Sequence, residues 1–211
     1  MEKLNKLFGG LNMSWPRLLI FSVAVGVYAG IISIIPALEQ TSFHDIDVST
    51  EMWVIFAFII ATNCKKSWET ALKVFVFFLI TQPMIFGIEM LAGLDVDMAM
   101  FYYTTNWGPK TLFTLPGGFI AFYIKKQNWL GAIILGLGCA LQGIMAVAYF
   151  DMFIKNPPFH LLTIIVCVAS IFVFTWCIQK DNKRRALCLV MACLASALVL
   201  AYFMSGNGAP F

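Results

Sequence analysis

A series of long apolar segments, separated by short polar ones, constrains this chain more than any other feature. A helix needs about 20 mostly apolar residues to cross the hydrocarbon core of a bilayer. The chain is 61% hydrophobic and only 12% charged, whereas soluble domains are usually about 45–50% apolar and about 25% charged. The sequence therefore predicts an all-α, polytopic transmembrane helix bundle, with no room for a sizeable soluble domain.

Seven segments have the composition of candidate spans, and the second and fourth are the shortest. They are Arg17–Leu38, Val48–Cys64, Thr70–Gly93, Pro109–Ile124, Trp129–Phe150, Pro158–Gln179 and Ala186–Met204. The first segment is too long for a cleavable signal and lacks a small-residue cleavage site, so we expect it to remain as a helix. The chain then divides into a cytoplasmic or interfacial segment (1–16), a transmembrane helical domain (17–204) and an external tail (205–211).

Lysine and arginine are distributed very unevenly between the two predicted sides. Twelve of the fourteen fall on the side of the N-terminus: Lys3, Lys6, Arg17, Lys65, Lys66, Lys73, Lys125, Lys126, Lys180, Lys183, Arg184 and Arg185. Only Lys110 and Lys155 fall on the other side. Because cytoplasmic loops are enriched in basic residues, the bias predicts a cytoplasmic N-terminus and an external C-terminus.

The third span contains polar residues that a lipid-facing helix does not tolerate. Gln82 and Glu89 are seven residues apart, close to two helical turns, so they lie on one side of the helix. Ionisable groups within spans usually face the bundle interior or a wet cavity. Pro83 lacks a backbone donor and is predicted to kink this helix.

The fourth span carries Pro116, Gly117 and Gly118 in its middle, which predicts a second break at similar depth. Broken helices near the bilayer midplane often line the binding sites of transporters, because their freed carbonyl groups face a cavity. Two neighbouring broken spans therefore predict a binding site between the third and fourth spans.

Further polar and aromatic residues concentrate near the outer ends of the spans. We expect Glu89 to be the principal charge partner of a solute and Gln82 a hydrogen-bonding group. The other candidate binding residues are Glu51, Asp151 and His160 at the entrance, Gln142 further inward, and Trp53, Tyr103 and Trp107 as aromatics. Aromatic rings beside carboxylates can hold an organic cation, although an aromatic belt at the membrane interface also explains them.

The segment after the first span contains a possible metal site. His44, Asp47 and Glu51 are spaced by three and four, and Ser42 with Asp45 resembles a helix N-cap. A site built from histidine and carboxylates is one interpretation. An amphipathic helix covering the bundle is the alternative that we favour, because no metal-binding motif is present. We therefore predict no bound metal and no cofactor.

Small residues recur every four positions on three of the predicted helices. The sets are Ser22, Gly26 and Gly30; Ala132, Gly136 and Ala140; and Cys188, Ala192 and Ser196. Such stripes allow helix backbones to approach closely in lipid. We expect them to pack within one bundle.

Two resemblances to known families add to this picture. The segments SFHDI, EMWVIFAFIIATN, LKVFVFFLITQPMIF and TLPGGFIAFYIKK resemble an uncharacterised family of small polytopic bacterial membrane proteins. The segment RLLIFSVAVGVYAGIISIIPAL is similar to the substrate-binding S components of energy-coupling factor vitamin transporters. These resemblances imply a multi-pass protein of a bacterial cytoplasmic membrane that binds a ligand from outside. The predicted seventh span and external C-terminus depart from the S components.

Three functions are compatible with the sequence. The leading hypothesis is binding or transport of a small cationic or zwitterionic solute from the external side. The second is an intramembrane enzyme acting on a lipid or isoprenoid head group, with His44, Asp47, Glu51, Glu89 and His160 as its chemical groups. The third is a non-catalytic membrane subunit with a partner in a larger complex. Enzyme signatures are missing, and the expected surroundings are lipid rather than nucleic acid.

Overall fold

The computed structural model of the chain describes residues 2–39, 41–48, 50–94, 107–155 and 160–205. Within these ranges every regular element is helical. The α-helices are α1 (Glu2–Leu7), α2 (Trp15–Ser33), α3 (Ser42–Val48), α4 (Thr50–Asn63), α5 (Ser67–Leu91), α6 (Trp107–Leu112), α7 (Thr114–Ala121), α8 (Trp129–Lys155), α9 (Leu161–Ile178) and α10 (Asn182–Met204). Short 3₁₀ helices cover Pro36–Leu38 and Phe122–Lys125.

Five helices of the described part, α2, α5, α8, α9 and α10, are long and apolar enough to cross a membrane. They coincide with the first, third, fifth, sixth and seventh segments predicted from the sequence. The structure therefore supports a multi-pass membrane protein. The second predicted segment forms α4, which has only 14 residues. At 1.5 Å per residue α4 is about 21 Å long, shorter than a hydrocarbon core of about 30 Å.

The fourth predicted segment is divided, but at a different place from the proline–glycine motif. The division between α6 and α7 falls at Phe113, and Pro116 is the third residue of α7. In a first helical turn the missing N–H of proline would have no intrahelical partner, so Pro116 is compatible with the start of a helix. The third segment is not divided, because α5 continues through Pro83 from Ser67 to Leu91.

Small residues bring pairs of long helices close together, as the sequence predicts. A methyl group at Gly26 of α2 would lie 2.7 Å from Cβ of Met84 on α5. On the other side of the bundle, Cys188 of α10 donates a hydrogen bond to the carbonyl oxygen of Ala132 on α8 (3.3 Å). The stripes on α2, α8 and α10 therefore pack inside a single chain. They need no second copy to bury them.

The two ends of the bundle differ in chemistry. At one end, Lys73 donates to the carbonyl oxygen of Met13, and Lys125 donates to the carbonyl oxygen of Cys64. The backbone N–H of Lys180 donates to Gln127 Oε1 (3.0 Å). Together these contacts join the segments that carry the twelve basic residues predicted to share a side, and we call this region the basic end. At the opposite end, His160 contacts Asp45, and we call that region the histidine end.

The basic end is held together by side chains that donate to backbone carbonyls of neighbouring elements. Gln179 Nε2 donates to the oxygens of Ile124 (2.9 Å) and Lys126 (3.3 Å). Asn63 Nδ2 donates to the oxygen of Leu7 (2.7 Å), which fixes the N-terminal segment across this end. Burial lowers the pKa of the Lys125 ammonium from its usual range.

Candidate functional site

A cavity of about 320 Å³ lies between α4, α5, α6 and α7, where the second, third and fourth predicted segments meet. Much of its wall comes from α4. The contributing positions are spaced by three and four residues, so they lie on one face of that helix. The lining residues are Thr50, Trp53, Val54, Ala57 and Phe58 of α4, Val74 and Phe78 of α5, and Lys110, Thr111, Thr114, Gly117, Gly118 and Ala121 of α6 and α7.

The lining changes from polar to apolar along the cavity. The polar lining groups lie toward the histidine end, at the start of α4, in α6 and at the start of α7. They are the hydroxyls of Thr50, Thr111 and Thr114 and the ammonium group of Lys110. Deeper positions toward the basic end are apolar, as shown by Phe58, Val74 and Ala121. None of the described residues that line the cavity is a carboxylate.

Trp53 is the predicted binding residue that the structure places on the cavity wall. Its side chain is 3% exposed and packs against Phe78, with the ring centroids 5.3 Å apart. The indole Nε1 has no hydrogen-bond partner among the described residues. A buried donor without an acceptor costs about 1–3 kcal/mol. A ligand that brings an acceptor to Trp53 would recover that energy.

A second group of polar residues lies beside the cavity, at the histidine end. His160 Nδ1 lies 3.0 Å from both carboxylate oxygens of Asp45. The hydroxyl of Thr163 donates to Asp45, and the backbone N–H of Thr163 donates to Ser42 Oγ (3.0 Å). These contacts join α3 to the start of α9, where His160 adopts a left-handed conformation with φ of 63°.

Glu51 lies next to this group and is fully buried. Its backbone carbonyl accepts a hydrogen bond from Gln142 Nε2 of α8 (2.9 Å). The ring of Tyr149 packs against the imidazole of His160, with the centroids 5.2 Å apart. Tyr149 also lies within electrostatic range of both Glu51 and Asp45. We call Asp45, Glu51, Gln142, Tyr149, His160 and Thr163 the polar cluster.

The structure therefore brings together three of the predicted binding residues, Glu51, Gln142 and His160, but inside the bundle instead of at an open entrance. Glu51 is inaccessible because its side chain is fully buried. Sequence reasoning missed Asp45, Tyr149 and Thr163. The sequence could have indicated Asp45 as a site residue, because it is acidic and lies next to an apolar span. The pattern Ser42 with Asp45 indicates only a helix cap.

The remaining predicted residues are dispersed. Gln82 is buried within α5, and Glu89 is half-buried near the end of that helix; neither is among the described residues that line the cavity. Asp151 pairs with Lys155 one turn along α8, at 2.5 Å. Tyr103 lies outside the described residues. Trp107 begins α6, and its side chain also lies outside the described part.

The three candidate metal ligands lie on two elements. His44 and Asp47 belong to α3 and Glu51 to α4, and the side chain of Asp47 is outside the described part. Among the side chains that the structure describes, no group of three or more His, Cys, Asp or Glu residues is placed to hold a metal ion.

Comparison with known proteins finds no matching family model, no matching curated protein and no matching solved structure. The resemblances stated from the sequence therefore remain predictions. The functional argument depends on the cavity and the polar cluster.

Proposed function

We propose that this chain is an intramembrane binding protein for a small amphiphilic molecule, and that binding is a step in the transport of that molecule. The observation that carries the proposal is the cavity, with its polar mouth, its apolar depth and the buried indole of Trp53. Ligand sites are typically concave and mostly apolar, with a few polar groups that set orientation. The occupant would have a hydrocarbon or ring body and a head group that accepts hydrogen bonds.

The lining favours an anionic or neutral head group over the cationic solute expected from the sequence. That expectation depended on Glu89, Glu51 and Asp151, and none of these is among the described lining residues. Among the described lining residues, the charged side chain is Lys110, an ammonium group. A cation would meet like charge there, whereas an anionic or neutral head group would not.

We also propose that the chain crosses the membrane seven times with the basic end in the cytoplasm. The direction of the chain alternates between the two ends through α2, α4, α5, the α6–α7 pair, α8, α9 and α10. The concentration of lysine and arginine at the basic end supports a cytoplasmic location for it. The cavity mouth would then face the external half of the bilayer. A cysteine-accessibility assay on intact cells, with single cysteines at Lys66 and Lys155, tests this orientation.

Brominated amphiphiles provide a direct test of the binding proposal, because bromine quenches tryptophan fluorescence on contact. The probes are a brominated fatty acid, the matching alcohol and the matching alkylammonium, added to the purified protein in detergent. We expect saturable quenching by the acid and the alcohol, weaker quenching by the ammonium probe, and loss of the saturable part in Trp53→Phe.

Two alanine-to-phenylalanine substitutions distinguish binding in the cavity from nonspecific partitioning of the probe into the detergent micelle. Ala57→Phe fills the cavity and should abolish saturable quenching, whereas Ala169→Phe, on the exposed face of α9, should leave it unchanged. Glu89→Gln should also leave quenching unchanged. Saturable quenching that survives in Ala57→Phe, or that is lost only in Glu89→Gln, would overturn the assignment of the site.

A further inference from the structure

We infer that the cavity opens sideways into the bilayer, through a slot between α4 and the α6–α7 pair, and that its ligand enters from the membrane. The slot stands on the exposure and spacing of the lining residues. The route of entry also rests on the proposed function.

The residues that line the cavity on α6 and α7 divide into an exposed row and a buried row. Lys110 and Gly117 are exposed and Thr114 is half-buried, and their spacing of four and three residues places them on one face. Phe113 keeps right-handed helical dihedrals, φ −68° and ψ −15°, so this periodicity continues across the division between α6 and α7. The exposed row therefore marks one edge of an opening. The other lining residues of this pair are buried: Thr111, Gly118 and Ala121.

The lining residues of α4 show the same division. Thr50 is exposed, and Val54 and Ala57 are half-buried, again with a spacing of four and three. The other lining residues of α4 are buried: Trp53 and Phe58. The helix α4 and the α6–α7 pair run in the same direction, and the chain after them meets where Lys125 donates to the carbonyl oxygen of Cys64. The two exposed rows therefore follow the opening together, from the polar mouth inward.

Two adjacent glycines of α7 have opposite surroundings. A Cβ at Gly118 would lie 3.0 Å from Cα of Ala71 and 3.1 Å from Cβ of Val74, so this glycine holds α7 against α5. Beyond the backbone of its own helix, a Cβ at Gly117 would meet no described atom within 4 Å. The absence of a side chain at position 117 therefore leaves the slot open at its deeper end.

The slot reaches the hydrocarbon region in the orientation proposed above. Gly117 is seven residues after Lys110 and eight before Lys125, so at 1.5 Å per residue it lies about 10–12 Å along the chain from each ammonium-bearing residue. About one turn to either side, Phe113 is 75% exposed and Ile120 is 51% exposed. The N–H of Gly117 donates to the carbonyl oxygen of Phe113 (3.1 Å), so these positions share a face. An opening between large exposed apolar side chains at this depth contacts acyl chains and not water.

This route limits the class of ligand. An amphiphile in a bilayer already holds its head group near the interface and its body among the acyl chains. It can move sideways into the cavity in that arrangement, with its head group beside Lys110 and its body beside Gly117. The ligand is therefore a molecule that partitions into membranes, and not a water-soluble solute.

Stopped-flow quenching with the brominated alcohol tests the slot, because a side chain in a passage changes the rates of entry and exit more than the affinity. Gly117→Leu places a side chain in the open space at the deeper end of the slot. We expect the association and dissociation rate constants of the saturable part to fall together by about tenfold or more, the effect of about 1.4 kcal/mol added to a barrier. The dissociation constant should change much less.

Gly87→Leu is the matched control. Gly87 belongs to α5 and lies outside the described cavity lining, and a Cβ there would likewise meet no described atom within 4 Å beyond its own helix backbone. This variant should leave both rate constants unchanged. If Gly117→Leu does not fold, Gly117→Ala replaces it and should slow both steps by a smaller factor.

The outcomes separate the route of entry from the proposed function. Unchanged rates in Gly117→Leu, or equal slowing in Gly87→Leu, would overturn the slot and leave the binding site. A weaker affinity with an unchanged association rate would also overturn the slot, since Gly117 would then be only part of the cavity wall. Absence of saturable quenching in the wild type would overturn the proposed function, and the route of entry with it.

Discussion

The two ends of this bundle use different side chains to bond buried polar groups. Each must provide partners for polar groups at the ends of apolar helices. The basic end does so mostly with amides and cations that donate to backbone carbonyls, such as Gln179 to Ile124, together with the Lys73–Glu69 ion pair. The histidine end uses a carboxylate that contacts an imidazole and a hydroxyl, Asp45 with His160 and Thr163.

This difference assigns separate roles to the two ends. The basic end holds the N-terminal segment, α4 and α9 in one arrangement, with Phe8 packed edge-on against Phe174 at 5.5 Å. The histidine end contains the polar side of the cavity and the polar cluster, so substitutions there test the proposed site more directly. Four predictions test this contrast, starting with the largest expected effect.

Replacing His160 by leucine should destabilise the protein most. The substitution leaves the buried Asp45 carboxyl group without its imidazole partner, and a buried polar group left without a partner costs about 1–3 kcal/mol, more when it is charged. Denaturant unfolding of the purified protein in detergent measures the loss. A loss no larger than that of Asp151→Ala would contradict a structural role for this contact.

Replacing Gln179 by leucine should cost less, because neither partner is ionisable. Gln179 is fully buried, and its loss leaves the carbonyl oxygens of Ile124 and Lys126 without this donor. Unsatisfied buried acceptors cost about 1–3 kcal/mol. The same unfolding experiment measures it. Gln127→Leu, at an exposed amide that bonds Ile178, is the control and should cost less.

The long helices could be predicted from the sequence, but the polar cluster could not. A run of about 20 apolar residues has few alternatives to a spanning helix, so the segments containing α5, α8 and α10 were located closely. The position of the break at Phe113 was not predicted, because Pro116 and the two glycines are stronger local signals than a phenylalanine. Asp45 and His160 are separated by 115 residues, and a single sequence carries no signal that links them.

The cavity mouth offers a third test, of charge and not of stability. Lys110→Gln should weaken binding of the brominated fatty acid by a few-fold, about the value of an exposed ion pair. It should leave the brominated alcohol unchanged, because that head group carries no charge. Separate quenching titrations of the wild type and of Lys110→Gln with each probe measure the two affinities. A parallel loss for both probes would mean that Lys110 supports the shape of the mouth and does not select charge.

The smallest effect should come from Asp151, a carboxylate that follows the polar cluster residue Tyr149 along α8. Asp151 pairs with Lys155, but the lysine side chain is 61% exposed, and such helical pairs contribute about 0.3–0.5 kcal/mol. Asp151→Ala should therefore lower stability only slightly, and added salt should reduce the difference further because it screens accessible charges. Unfolding with and without salt measures this. A loss as large as that of His160→Leu would show that location at this end, and not burial, sets the cost.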